Sequence, residues 1–313
     1  MVFGAKIPLI LLIMGRKNVQ EKRLAILADI HSNHYALERC VDEAKRRGAE
    51  EFIFLGDYIG DMPCPEKTLA YLKELSKNYP CTFIRGNKED YWINRKYGKN
   101  TDWIWEKGKC GSGVLAYAYE RLTPKQIEEF EELPISKTML YPGLPPFVIC
   151  HGSPWKASES MREDYDYIDA LTAKLETELT VCAHFHVQSM YKRNGKRVIN
   201  PGSVGVPLRS GGKTQFMMLY GNNGEWNPEF ITLSYDVPAV IKEMDEEKLH
   251  EYDPAWTRIT KHVLNGSTFA YTAVLERACV LCTKDTGNAD WRSIPRKYWE
   301  MAIDEFEREK APA

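Results

Sequence analysis

Side chains that commonly bind metals follow five short apolar runs of the sequence. LAILAD ends at Asp29, FIFLGD ends at Asp57 and TFIRGN ends at Asn87, and histidines follow the first of these runs as well as PFVIC and LTVCA. Carboxylate, amide and imidazole groups together suit manganese, iron, zinc or nickel, and they argue against a calcium site or a purely thiolate site. The candidate ligands are Asp29, His31, Asp57, Asn87, His151, His184 and His186.

The spacing of these residues also fits metal binding. Asp29 and His31 are two positions apart, as are His184 and His186, so an extended backbone would point both members of a pair the same way. Seven ligands with one carboxylate shared would give each of two ions about four protein ligands. Such a two-metal site, with the ions roughly 3.5–4 Å apart, is suited to the hydrolysis of phosphate esters.

The elements that would position these side chains alternate between strands and helices. From Leu24 onward, apolar runs are separated by amphipathic patterns such as HYALERCVDEAKRRG. This alternation predicts an α/β fold in which ligands collect outside the carboxyl ends of the strands. Residues 91–135, rich in Trp and Tyr, are predicted to form a helical insert. The dipeptide Asn194-Gly195 predicts a hairpin, and the chain after Val237 is predicted to be helical.

Three segments are expected along the chain. Residues 1–22 are predicted to be a disordered tail or an over-called start, because the apolar run IPLILLIMG has only nine residues and a membrane span needs about 20. Residues 23–235 are predicted to form the catalytic domain. Residues 236–313 are predicted to form a helical C-terminal extension, which could also mediate assembly into a homo-oligomer.

Bulk properties argue against some classes of partner. The chain has 42 Lys and Arg against 44 Asp and Glu, so its formal net charge of −2 creates no global field that would attract nucleic acid or an anionic membrane. The eight cysteines lie mostly in apolar runs, which suits a reducing cytosol. We therefore expect a cytoplasmic protein that does not bind membranes and whose partner is not a nucleic acid.

The motifs DIHSN, GDYIG, GNKED, HGS and AHFH, in this order, resemble those of the calcineurin-like metallophosphoesterases. The stretch NPGSVGVP is similar to one in the small bacterial and archaeal phosphodiesterase branch of that family. The resemblance covers residues 24 to about 235. It implies a β-sandwich flanked by helices, here with a helical insert and a helical C-terminal extension, and it implies a hydrolase that acts on phosphate esters.

The resemblance also implies a role for each ligand. Asp29, His31 and His186 would hold one divalent ion, and Asp57 would bridge it to a second ion. A metal-bridging hydroxide would attack phosphorus. Manganese is the expected metal, with iron, zinc or nickel as alternatives. The second ion would be held by Asn87, His151 and His184.

The chain departs from the family pattern at Lys88, where many relatives have a histidine after the ligand asparagine. A lysine can stabilise charge on the phosphoryl oxygens, but it is a poor general acid at its usual pKa of about 10.4. Activity would then favour diesters or esters with good leaving groups. The alternative is a solvated lysine that pairs with Glu89 or Asp90. The second departure, Ala183 in place of a glycine, is expected to be harmless. The expected catalytic residues are Asp57, Asn87, Lys88 and His151.

Substrate contacts are expected from Asn33, Arg85 and Arg209, although Arg85 and Arg209 could equally serve as structural braces. The aromatic residues of the insert could stack a nucleobase, but the interpretation we favour is a small hydrophobic core. These aromatic residues are Trp92, Trp103, Trp105, Tyr117 and Tyr119.

The sequence therefore predicts a cytoplasmic, metal-dependent phosphoesterase. Phosphodiester or nucleotide substrates are favoured. Two alternatives stay open at this point. One is a phosphomonoesterase of the protein serine/threonine or small-molecule type, and the other is an interaction scaffold that keeps the fold without catalysis.

Overall fold

The computed structural model describes residues 21–99, 102–267 and 271–310. Apart from its last two residues, the predicted tail at 1–22 lies outside the described part of the chain. No helix in these three ranges is long and apolar enough to cross a membrane.

Two five-stranded sheets form the centre of the protein. In the first sheet the strand order is β10-β9-β1-β2-β3; β1, β2 and β3 run parallel, β9 runs antiparallel to β1, and β10 runs antiparallel to β9. Its strands are β1 (Lys22–Leu27), β2 (Glu51–Phe54), β3 (Cys81–Phe83), β9 (Thr214–Asn222) and β10 (Glu225–Leu233).

The second sheet has the order β4-β5-β6-β8-β7, with parallel strands in the middle and an antiparallel strand at each edge. Its strands are β4 (Ser136–Met139), β5 (Phe147–Cys150), β6 (Leu179–Val181), β7 (Gln188–Arg193) and β8 (Lys196–Pro201). The predicted hairpin joins β7 to β8, with Asn194 and Gly195 both at positive φ.

The two sheets pack face to face because alternate residues of each strand point into the space between them. Leu24, Ile26 and Ile53 of the first sheet meet Ile149 and Val181 of the second in one buried cluster. The opposite faces are covered by helices. The prediction of a mixed α/β fold with a sandwich flanked by helices is confirmed.

Helices cover both outer faces of the sandwich. Those before β4 pack on the first sheet and α6 packs on the second. The sequence analysis missed β4, because Lys137 and Thr138 are exposed and this edge strand lacks an apolar run. The helices of this part are α1 (His34–Arg46), α2 (Pro65–Asn78), α3 (Asn87–Lys96), α4 (Gly113–Glu120), α5 (Pro124–Glu131) and α6 (Ile168–Ala173).

The aromatic residues of the insert pack into hydrophobic clusters, as favoured above, although Trp103 is only partly buried. Trp92 is fully buried, and Trp103, Trp105 and Tyr119 pack against its cluster. Tyr117 is buried in a neighbouring cluster that also contains Met244 of the C-terminal helices.

Within the described residues five helices follow β10, and we call them the C-terminal helices. They have a hydrophobic core of their own, built around residues such as Ile259, Val274 and Trp299. A second cluster joins Val240 of these helices to Val114 of the insert. The C-terminal helices therefore pack on the insert beside the carboxyl ends of the first sheet. They are α7 (Val237–Glu246), α8 (Leu249–Tyr252), α9 (Pro254–Leu264), α10 (Tyr271–Thr286) and α11 (Arg296–Lys310).

Candidate metal centre

Tight turns after the strands present the candidate ligands. The prediction that extended backbone aligns the pairs Asp29/His31 and His184/His186 is wrong, because all four residues have positive φ, between 50° and 77°. Asp57 also lies in this region, at φ 53°. Non-glycine residues rarely adopt it, and such strain clusters at functional sites. These turns nevertheless point the side chains of the candidate ligands toward the same edge of the sandwich.

The first ligand cluster joins the turns after β1 and β6. The Nε2 atoms of His31 and His186 are 3.2 Å apart, and Asp29 Oδ1 lies 3.3 Å from His186 Nε2 and 4.0 Å from His31 Nε2. One carboxylate oxygen and two imidazole nitrogens thus converge on one point, a donor set that suits a divalent cation.

The second ligand cluster surrounds His151. Its Nε2 atom lies 3.0 Å from Asn87 Oδ1, 3.5 Å from Asp57 Oδ1 and 3.8 Å from Asp29 Oδ1. Asp57 also faces the first cluster, since its Oδ2 is 3.7 Å from His31 Nε2. Both Asp57 and Asp29 therefore lie between the two clusters, whereas the resemblance implied sharing by Asp57 alone.

His184 stands at the rim of these clusters. Its backbone N–H donates to Asp29 Oδ2 at 3.3 Å, and its ring lies 5.2 Å, centroid to centroid, from that of His151. Burial and the neighbouring His151 lower the pKa of His184 to about 3. The imidazole is therefore neutral, the form in which histidine binds metals.

Two observations show that the candidate ligands suit divalent cations: an unpaired carboxylate oxygen and the orientation of the histidine rings. Asp29 Oδ1 is buried and accepts no hydrogen bond, which is costly for a carboxylate unless it binds a cation. The histidines are also oriented for metal binding. His151 Nδ1 donates to the Leu55 carbonyl at 2.7 Å and His186 Nδ1 donates to the Val206 carbonyl at 2.9 Å. Each ring thus turns its Nε2 lone pair inward, as in metal sites.

Glu89 is a site residue that the sequence analysis did not recognise as such. Its carboxylate is fully buried and accepts from the backbone N–H groups of Asp57, Tyr58 and Gly86 at 2.8–3.0 Å. Burial, together with the charge of Asp57, raises the pKa of Glu89 to about 7. This side chain holds the turns after β2 and β3 together. A Cβ atom on Gly86 would approach Asp57 Oδ1 to 2.3 Å, so only glycine fits there.

Asp61 is a second residue that sequence reasoning missed, because no motif marks it. Its Oδ2 lies 3.1 Å from His31 Nδ1, and its Oδ1 accepts from Lys88 Nζ at 3.1 Å. Both side chains of the Asp61–Lys88 pair are almost completely buried. Asp61 therefore links the orientation of a candidate ligand to the position of the lysine.

Lys88 pairs with Asp61, and not with Glu89 or Asp90 as the alternative interpretation expected. Its ammonium also lies 5.0 Å from the centre of the Trp256 ring. Burial alone would lower the pKa of Lys88, but Asp61 and Asp57 outweigh burial and raise it. The side chain therefore stays a cation at neutral pH.

A cavity of about 360 Å³ opens over the edge of the sandwich at which the candidate ligands lie. We call this edge, with Asp29, His31, Asp57, Asn87, His151, His184 and His186, the metal-binding edge. Its floor contains His31, Asp57 and His184, and its wall contains Lys88. Its roof comes from α9 and α10 of the C-terminal helices. The roof residues include Trp256, Ile259, Thr260, Val263 and Tyr271.

Comparison with known proteins identifies the family. The sequence profile of the calcineurin-like phosphoesterase superfamily domain matches residues 23–224, more than half of the chain. The chain belongs to the calcineurin-like phosphoesterase superfamily. The resemblance of its motifs to this family is thereby confirmed, and the C-terminal helices lie beyond the matched residues.

Three individual proteins are similar to this superfamily member. The protein named "Uncharacterized protein MJ0912" from Methanocaldococcus jannaschii is 22% identical over 245 residues, 73% of this chain and 94% of the relative. The solved structure of hypothetical protein PH1004 from Pyrococcus horikoshii matches with a TM-score of 0.64 at 25% identity, covering 76% of this chain and 97% of that one. A metallophosphoesterase from Sphaerobacter thermophilus matches with a TM-score of 0.61 at 18% identity, covering 78% and 100%. The last match concerns the fold alone.

In this superfamily member, the three expected substrate contacts lie outside the cavity lining. Asn33 caps α1 and its amide donates to the Gly205 carbonyl and to Tyr235 Oη. Arg85 pairs with Asp90, Nε to Oδ1 at 3.0 Å. Arg209 is exposed. Among the described residues, Arg162 is the arginine that lines the cavity; it lies between β5 and α6, pairs with Asp164 (Nε to Oδ1, 2.9 Å) and was not singled out by the sequence analysis.

Proposed function

We propose that this chain is a dinuclear metal-dependent phosphoesterase that hydrolyses phosphodiesters or nucleotides. The observation that carries the proposal is the position of Asp57. Its two carboxylate oxygens face two separate clusters of candidate ligands, 3.7 Å from His31 Nε2 and 3.5 Å from His151 Nε2. A carboxylate that faces both clusters, as Asp57 does together with Asp29, suits a two-metal site.

We assign the first ion to Asp29, His31 and His186 and the second to Asn87, His151 and His184, with Asp57 shared. When bound, the two divalent cations, for which manganese is the expected choice, would lower the pKa of the attacking water and neutralise charge on the phosphoryl oxygens. Glu89 joins the turns after β2 and β3, which carry Asp57 and Asn87.

Lys88 supports a preference for diesters or good leaving groups. Lys88 is a poor general acid at the usual lysine pKa of about 10.4, so we assign it the role of a fixed positive charge beside the substrate phosphate. Its ammonium is held by Asp61 at the cavity wall. A leaving group that needs no protonation suits this arrangement.

The roof favours a small-molecule substrate over a phosphoprotein. Residues of α9 and α10 line the cavity, so these helices narrow the approach of a folded protein surface to the ligands. A cavity of about 360 Å³ lies in the range of small-molecule sites, roughly 300–1,000 Å³.

The test compares bis-p-nitrophenyl phosphate, a diester, with p-nitrophenyl phosphate, a monoester, using protein reloaded with manganese. We expect preferential diester hydrolysis that is lost after chelation and in the variant Asp57→Asn. Asp169→Asn, at an exposed aspartate of α6, is the matched control and should match the unmodified protein. Preference for the monoester would favour the phosphomonoesterase alternative. Metal binding without turnover of either ester would favour the scaffold alternative.

A further inference from the structure

A second, smaller cavity of about 120 Å³ adjoins the first at Lys88. The two cavities share Lys88, Tyr91, Trp256 and Tyr271 in their walls. We call the smaller cavity the aromatic chamber. Its principal lining residues are Tyr91, Trp103, Trp256, Tyr271, Leu275 and Trp291.

The walls of the aromatic chamber are flat and almost uncharged. The Trp103 ring lies 5.3 Å from Tyr91 at 87° and 5.3 Å from Trp291 at 63°, centroid to centroid. Among the described residues that line it, Lys88 carries the only charge, at the boundary with the larger cavity. Such walls favour a planar, uncharged ring that stacks against indole and phenol faces.

Both sides of the chamber come from parts of the chain outside the sandwich. Tyr91 and Trp103 belong to the insert, whereas Tyr271 and Trp291 belong to the C-terminal part of the chain. An ion pair between Asp102 and Arg292 joins these two parts next to the rings. The chamber is therefore built by the parts that distinguish this chain from a bare sandwich.

We propose that the aromatic chamber binds the nucleobase of a nucleotide diester whose phosphate lies over the metal-binding edge. This inference rests on the proposed phosphoesterase function and narrows its substrate class. Lys88 lies at the boundary between the two cavities, between the expected positions of the charged phosphate and the uncharged base. Asp61 holds its ammonium there. The small volume suits a single ring system and excludes a long acyl chain. Stacking on aromatic side chains is how proteins bind bases without reading a particular sequence.

The experiment uses two diesters with the same leaving group, thymidine 5′-(p-nitrophenyl phosphate) and methyl p-nitrophenyl phosphate. Calorimetric binding of thymidine, which has no phosphate, adds a measurement that needs no hydrolysis. The variants are Trp103→Leu, which removes a stacking face, and Leu275→Trp, which fills the chamber from a half-buried position. Trp155→Leu is the matched control, because Trp155 is exposed and lies outside both cavities.

For Trp103→Leu and Leu275→Trp we expect KM for the thymidine ester to rise about tenfold or more, with kcat little changed, and thymidine binding to weaken in parallel. For the methyl ester, KM and kcat of both variants should stay within about twofold of those of the unmodified protein. For Trp155→Leu, KM, kcat and thymidine affinity should all stay within the same range. Equal KM values for the thymidine ester in all proteins would overturn the inference. So would equal changes for bis-p-nitrophenyl phosphate, which would indicate a site for any aryl group.

The two proposals fail separately. If neither ester is hydrolysed but thymidine binds to the unmodified protein and not to Leu275→Trp, the base site stands and the proposed function fails. If diesters are hydrolysed but thymidine does not bind, the proposed function stands and the base site fails.

Discussion

The metal-binding edge and the roof above it are built in different ways. The edge consists of short turns fixed by the parallel strands of the sandwich and by buried groups such as Glu89. The roof consists of helices that pack mainly on one another and on the insert. We infer that the edge carries the chemistry common to the superfamily, whereas the roof determines which substrate reaches it.

The largest effect is expected from the variant His31→Ala, which tests whether the metal-binding edge carries the chemistry. Loss of a ligand should lower kcat for bis-p-nitrophenyl phosphate by about a thousandfold, more than the 10- to 100-fold typical of a group that only orients a ligand. The bound metal, measured by atomic emission, should fall by about one ion per chain. His250→Ala, at an exposed histidine of the C-terminal helices, is the control and should change neither quantity. Comparable kcat values in the two variants would contradict the assignment of His31.

A smaller effect is expected at Lys88, where edge and roof meet. Lys88→Met should lower kcat about 100-fold, because a preorganised charge beside the phosphate is lost, with little change in bound metal. Lys96→Met, at the other end of α3, removes only a partly exposed pair with Glu128 and should be neutral. An unchanged rate in Lys88→Met would dispose of the catalytic role of Lys88.

The smallest effect is expected from Arg162, in the cavity wall. Arg162→Gln should raise KM about tenfold with kcat nearly constant, because a hydrogen bond between charged groups contributes about 1.5–3 kcal/mol. The same change at Arg85 or Arg209, neither of which lines the cavity, should leave KM unchanged. A larger KM effect at Arg85 or Arg209 than at Arg162 would restore the substrate contacts expected from sequence.

The positions of the candidate ligands could be predicted from the sequence because each follows an apolar strand. Asp29 and Asp57 lie at one edge because β1 and β2 are parallel strands of one sheet, whereas His151 follows β5 of the second sheet and reaches them because the two sheets pack together. The left-handed turns could not be predicted, because residues other than glycine rarely adopt them. The side chains of Asp29 and His31 converge through such turns and not through extended backbone.

Tertiary contacts explain what the sequence did not reveal. Asp61 acts through a partner 27 positions away, Lys88, and no local pattern marks such a pair. The helices after Val237 were predicted from their amphipathic patterns, but their place over the cavity depends on packing against the insert. Assembly through these helices and a cytoplasmic location stay predictions.

The central claim is that one edge of the sandwich holds two metal ions around Asp57. The most direct measurement is anomalous X-ray diffraction from crystals of the full chain soaked in manganese. The account predicts two peaks, one among Asp29, His31 and His186 and the other beside Asn87 and His151, with Asp57 contacting both. A single peak, or two peaks of which neither contacts Asp57, would contradict it.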